Sequence, residues 1–489
     1  MTTLVLAAFV WAVACGAVSL AIVTGEPNQG PILLELNPPL LAQPIFDDLP
    51  EAASAPAEEE EPEAGEPDEE PEPDETTAAE ETPTDQKADK AEEEVEQDEA
   101  TETAGEVEEQ SETDQADPNA AVKPADPPPL PELTEQMKTL RHAMRQTIAS
   151  YFAEPFNTRD NTPTNVLQVC MAFGCDAEVR RGSPAGQKLN AFTCLCWNHP
   201  CAGRELLRIC DGEVTAGIGY GLQEYPGQFL AILGLSRVPI EYPLNVGNGE
   251  HTVGDLVEYE KKSCRSGEKT SLKLIGLARY LPTDAEWKND LGESWSISRL
   301  IKEELARAAD SAPAGGTYRL LALSYAVDRR VKHKQPIDGQ FKRAQAYVAD
   351  VAKYALELQN PDGSWHPGYF AFRGSAGSTV DQLRSTGQIL RWLAIGLPEE
   401  QLRNPQIVRG VTFLTNSLGS RRYRNYLPST SNQEIAARLG AVHALVIYDQ
   451  RLFGPYDAAE RRKAEQEKAE VERQKAQKQS VAMKTAQPS

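Results

Sequence analysis

Residues 353–365 (KYALELQNPDGSW) constrain the fold of this chain more than any other stretch. Tyr354 and Leu358 are four apart, with Leu356 on a neighbouring face, which suits a partly buried helix. Pro361 cannot continue that helix and turns Asn360 away from the helical region. Asp362-Gly363 supplies turn chemistry, because glycine accepts positive φ at no steric cost. Trp365 follows, and a buried indole removes roughly 150–250 Å² from water. These residues predict a helix end pinned to a neighbour by one large ring, with Gln359 placed to bond backbone groups left open there.

Gln359-x3-Gly363-x-Trp365, with Tyr354 five residues before the glutamine, resembles the QW motif of the terpenoid cyclase and prenyltransferase α/α toroids. Residues 409–414 (RGVTFL), including Phe413, resemble the front half of the same motif. Leu418 stands where its glutamine would be, and no tryptophan follows. The resemblance implies an all-α fold of about five or six helical hairpins around a central cavity. The residues carrying it would be structural: Tyr354, Gln359, Asp362, Gly363, Trp365 and Phe413.

The net charge of −25 over 489 residues belongs to one segment. Residues 47–117 hold 32 acidic side chains and two lysines, while the other 47 basic and 42 acidic residues nearly cancel. The acidic segment has no aromatics and cannot bury enough surface to offset its ordering entropy. Residues 26–130 therefore read as a disordered acidic linker, closed by the stiff proline run at 125–131. Ahead of it, residues 4–23 carry no charge and would span roughly 30 Å as a helix, the thickness of a bilayer core. Three readings stand for residues 1–25: a retained transmembrane anchor, a signal cleaved near Ala12-Val13-Ala14, and a lipid-modified Cys15. The anchor reading places the folded part on the outer, extracytoplasmic side of a membrane.

Residues 131–456 read as the folded domain. A first helix begins at Thr134, with Met137, Leu140, Met144, Ile148 and Tyr151 at helical spacing. Five later segments (227–237, 271–281, 318–327, 388–397, 438–448) are rich in Leu, Ala, Ile and Gly, as buried helices are. Between them, 296–309, 340–359 and 405–418 read as one-striped amphipathic helices. Gly- and Pro-rich residues 212–221 and 241–249 read as loops. Residues 457–489 form a charged tail, helical and then fraying, with i,i+3 pairs but no apolar stripe.

Six cysteines fall between residues 170 and 210. Cys170, Cys175, Cys194, Cys196, Cys201 and Cys210, with His199, leave three readings open: disulfides, a zinc site, or buried thiols. Outside that zinc alternative no cofactor is expected. No DxDD run, G-x-S-x-G, Walker loop or H-E-x-x-H occurs in the folded part. Asp381, Arg384 and His199 are the candidates for chemistry, with Gln388 on the face of Asp381 and Arg384. His443 reads as a core histidine. Two functions follow: a membrane-anchored scaffold binding a protein or a small apolar ligand, or an enzyme of the cyclase, prenyltransferase or polysaccharide-processing kind working in the toroid cavity. Nucleic acid is not an expected partner, because the linker repels phosphate and no dense basic patch is present.

Overall fold

The computed structural model describes residues 130–247, 249–307, 313–420 and 431–485. The expected anchor and all but the last residue of the acidic linker lie outside them. No described helix is long and apolar enough to cross a membrane.

The described part is mostly helical. In chain order its helices are α1 (Glu135–Phe152), α2 (Pro163–Phe173), α3 (Ala191–Cys196), α4 (Gln228–Leu235), α5 (Val253–Lys262), α6 (Ser271–Tyr280), α7 (Ile297–Ala306), α8 (Thr317–Lys332), α9 (Gly339–Glu357), α10 (Thr379–Gly396), α11 (Pro405–Gly419), α12 (Asn432–Tyr448) and α13 (Gly454–Thr485). Local chemistry sets many of their starts. The Thr134 hydroxyl accepts from Met137 N–H at α1, and Thr162 with Asn165 closes a reciprocal box at α2, which has proline in its first turn.

Burial sorts the helices into two kinds. α2, α4, α6 and α12 are buried along most of their length, and α8 and α10 along much of it. α5, α7, α9 and α11 bury one stripe and wet the other. The buried helices pack in sequence: α2 on α4, α4 on α6, α6 on α8, α8 on α10, α10 on α12, and α12 on α2. The striped helices cover them. α5 lies on α6, α7 and α9 on α8, and α11 on α10 and α12, with α1 against α11 and α12. Glycine lets the buried helices come close: a Cβ on Gly387 of α10 would stand 2.8 Å from Ala441 Cα of α12.

The all-α expectation needs one correction. Four antiparallel hairpins interrupt the helices: β1 (Glu178–Arg180) with β2 (Lys188–Asn190), β3 (Leu207–Cys210) with β4 (Glu213–Ala216), β5 (Pro243–Val246) with β6 (Gly249–Thr252), and β7 (Glu286–Lys288) with β8 (Ser294–Ser296). Residues 212–221 and 241–249, expected as loops, thus contribute strand. Asp211 and Gly212 both adopt positive φ, the geometry of a two-residue hairpin turn, and Trp287 faces Trp295 across the fourth pair.

Two buried carboxylates are paired with cations inside the fold. The Glu304 carboxylate accepts from Thr270 N–H at 3.1 Å, the Thr270 hydroxyl at 2.7 Å and the Ser271 hydroxyl at 2.7 Å, so α7 caps the start of α6. Arg307 lies 3.1 Å from the same carboxylate. Lys273 and Glu260 form a second buried pair at 3.2 Å.

Candidate functional site

The corner at residues 359–365 is built on three helices. Trp365 is 0% exposed. Its indole N–H donates to Ala355 O at 2.7 Å, a carbonyl in the last turn of α9. Its backbone N–H reaches the Thr386 hydroxyl at 3.0 Å, and its carbonyl accepts from the Ser385 hydroxyl at 2.9 Å, both on α10. The benzo edge of the ring lies over Gly410 of α11, where a Cβ would meet Cζ3 at 3.1 Å. Gln359 donates to Gly363 O at 3.0 Å and to Gln406 O at 2.8 Å. Gly363 holds φ at 93°, and a Cβ there would stand 2.3 Å from Arg409 O. Asp362 accepts from Ser364 N–H at 2.9 Å and completes the turn. Phe413 is half-buried against the core. Tyr354 departs from expectation: it is 46% exposed, and α9 turns Ala352 and Ala355 inward instead. The Tyr354 hydroxyl lies 3.4 Å from Phe370 O, while the neighbouring Ala355 carries the carbonyl that meets the indole.

The same α10 carries the polar cluster of greatest chemical interest. Arg391 is 2% exposed, on an otherwise apolar turn. Its guanidinium lies over the Tyr318 ring of α8, 5.3 Å from the centroid, and Nη1 donates to Met171 Sδ of α2 at 3.2 Å. Nε and Nη2 are buried without a hydrogen-bond partner, and no carboxylate of the described residues pairs with this cation. His443 of α12 is buried nearby. Burial, and then the charge of Arg391, hold its imidazole well below the usual histidine range, so it stays neutral, and its Nδ1 has no partner. The Tyr225 and Tyr318 rings pack at a tilt, 5.5 Å between centroids, and the Tyr369 hydroxyl donates to Gln388 Oε1 at 2.7 Å. Burial pushes the Tyr225 hydroxyl up to about 12 and raises that of Tyr369, so both remain donors. Helices α2, α8, α10 and α12, with Tyr225 and Tyr369 from the segments between helices, thus bring together a cation, a neutral imidazole, phenol rings and an amide. This set can seat an anionic group beside aromatic surface.

The expected chemistry-bearing residues lie elsewhere. Asp381 sits in the first turn of α10, where its carboxylate accepts from the Ser378 hydroxyl at 2.7 Å and from Arg384 Nη1 at 3.1 Å. The Ser378 contacts hold it below the usual carboxylate range. Its geometry is that of a helix cap. Gln388 joins the polar cluster through Tyr369, as described above. His199 and the half-buried Trp197 stand in the loop after α3, with no described contact to Arg391.

The seven cysteines among the described residues are free thiols in this structure. Cys170, Cys194, Cys196, Cys201 and Cys264 are buried, while Cys175 and Cys210 are exposed. Cys175 donates to Ser236 O at 3.2 Å, and Cys210 lies by Asp211. For the zinc alternative, no three His, Cys, Asp or Glu side chains converge as metal ligands among the described residues. Cys194 and Cys201 do meet, Sγ to Sγ, at 3.9 Å.

Comparison with protein-family models, with curated proteins and with solved structures finds no match to this chain. Arg391, Tyr225, Tyr318 and Tyr369 were not singled out by sequence. The signal for Arg391 is present, as a lone charge between Leu390 and Trp392 in an apolar run.

Proposed function

We propose that the chain is a membrane-anchored cell-envelope protein whose folded part is an α/α toroid that binds a small ligand with an apolar body and an anionic head. The toroid reading draws on the order in which the buried helices touch, α2 through α12 and back to α2, and on the striped helices that cover them. The QW-like corner supports the resemblance to terpenoid cyclases and prenyltransferases, since its indole and glutamine join consecutive hairpins. The uncharged residues 4–23 and the acidic linker supply anchor and reach.

The observation that carries the binding reading is Arg391. A buried guanidinium with two unpartnered nitrogens is costly to keep unless an anion completes it. Binding is favoured over turnover because Asp381, the acid expected to do chemistry, is occupied in capping α10.

Farnesoic acid and farnesol share one apolar body and differ in the carboxylate, so they separate the two parts of this reading. In thermal unfolding of the full-length protein, farnesoic acid is expected to raise the midpoint more than farnesol. Arg391→Met should abolish the difference. Equal shifts for wild type and variant would remove the guanidinium from the site, and no shift with either compound would remove the ligand class.

A further inference from the structure

The contact between Cys194 and Cys201 is imposed by backbone bonds that do not involve sulfur. α3 is capped by Asn190, whose side chain accepts from Thr193 N–H at 3.0 Å, and this sets Cys194 on its inner face. The chain then reverses: Trp197 N–H reaches Thr193 O at 2.9 Å and His199 N–H reaches Cys194 O at 3.0 Å. Asn198, at φ 52°, is fixed to Leu207 through both side-chain atoms, at 2.7 and 2.9 Å. Cys201 exchanges backbone bonds with Arg204 at 2.8 and 3.0 Å, and Ala202 N–H bonds Thr158 O at 2.7 Å. Both thiols end up buried, at 1% and 0% exposure, and face one another. Among the described residues no other two cysteine sulfurs make such a contact.

We propose that Cys194 and Cys201 are joined as a disulfide in the mature protein, made by exchange with a disulfide donor of the glutathione-disulfide class as the chain folds. One protein thiol gives up its proton and attacks the donor S–S bond, releasing one donor thiolate and leaving a mixed disulfide. The second protein thiol gives up its proton, attacks that mixed disulfide at the protein sulfur and expels the other donor thiolate. Two S–H bonds and the donor S–S bond break, one protein S–S bond forms, and the protons end on two donor thiols. The protein loses two electrons and the donor gains them. The two sulfurs already stand 3.9 Å apart, so forming the bond means bringing them together over a short distance. Cys196 and Cys170 are left as buried thiols, each raised by its burial. Once formed, the link is shielded from reductants by the same burial. The inference is independent of the ligand reading and of Arg391.

The full chain, unfolded and refolded with glutathione disulfide, acid-quenched, alkylated in denaturant without reduction and digested with trypsin, tests this directly. Cleavage after Lys188 and Arg204 puts Cys194, Cys196 and Cys201 on one peptide. The expected peptide is two hydrogens lighter than its reduced form and carries a single alkyl group, on Cys196. A further cut after Trp197 should leave its halves joined. Three alkyl groups on this peptide, or a link through Cys196 or Cys170, would overturn the proposal. No variant is needed for this readout, and Cys196→Ala should retain the link.

Discussion

Gly410 and Trp365 form a contact whose energetics change sign with the ring, and a double-mutant cycle exposes it. Gly410→Ala adds a methyl 3.1 Å from Cζ3 and 3.4 Å from Cη2 of Trp365. The indole cannot yield, since its N–H is held by Ala355 O at 2.7 Å and its backbone by Thr386 at 3.0 Å. Overpacking of this kind costs about 1–3 kcal/mol. Alanine in a helix interior recovers about 0.5–1 kcal/mol over glycine. The net in wild type is a loss of about 1 kcal/mol. Trp365→Phe removes the benzo edge and orphans the Ala355 carbonyl, a loss of about 2–3 kcal/mol by itself. In that background the added methyl enters vacated space, so Gly410→Ala becomes stabilising by about 0.5–1 kcal/mol. The coupling is then about 2 kcal/mol. Urea unfolding of the four proteins, followed by far-ultraviolet circular dichroism, measures it. Additivity within about 0.5 kcal/mol would refute the wedge as the link between α9, α10 and α11.

Glu154 gives a pH signature. Burial lifts its carboxyl to about 7, against an opposing pull from Arg438. The native state therefore holds a proton that the unfolded chain releases from about pH 4.5 upward. Its contribution to stability is complete below about pH 4.5 and lost as pH rises through about 7. Glu154→Gln should match wild type near pH 4 and exceed it by about 1–2 kcal/mol near pH 8, read from unfolding midpoints. An equal gain at both pH values would disprove the linkage. Glu304→Ala leaves the Thr270 N–H and two hydroxyls at the start of α6 without their acceptor. A loss of about 3–5 kcal/mol is expected in thermal unfolding, with Glu304→Gln losing less. A loss under about 1 kcal/mol would mean that water replaces the carboxylate there.

Sequence made the helices legible where composition was extreme. All five apolar segments coincide with buried helices, because a run such as SLKLIGLARY has apolar residues on every face and only two charges. α2 is not legible in the same way, because its glutamine, cysteine and methionine blur that contrast. The β3–β4 hairpin carried a readable signal, Asp211-Gly212 between Ile209 and Val214, but its arms of four residues are too short for alternation to stand out. The corner at Trp365 was legible because proline, glycine and tryptophan each restrict the backbone or the core. The polar cluster was not, because Arg391, Tyr225, Tyr318 and Tyr369 are separated by up to 166 positions and meet only through helix packing. Asp381, three residues after a serine, suits a cap as well as a site, and in the fold it caps α10.

Pro131 and α1 are clasped to the residues around the start of α13. Tyr456 donates its hydroxyl to Pro131 O at 2.6 Å, Arg141 pairs with Asp457, and Arg145 bridges Asp449 at 2.9 Å and Asp457 at 2.6 Å. Pro131 therefore lies beside the start of α13. A pull that separates residue 131 from the start of α13 would have to part these arginine–aspartate pairs first.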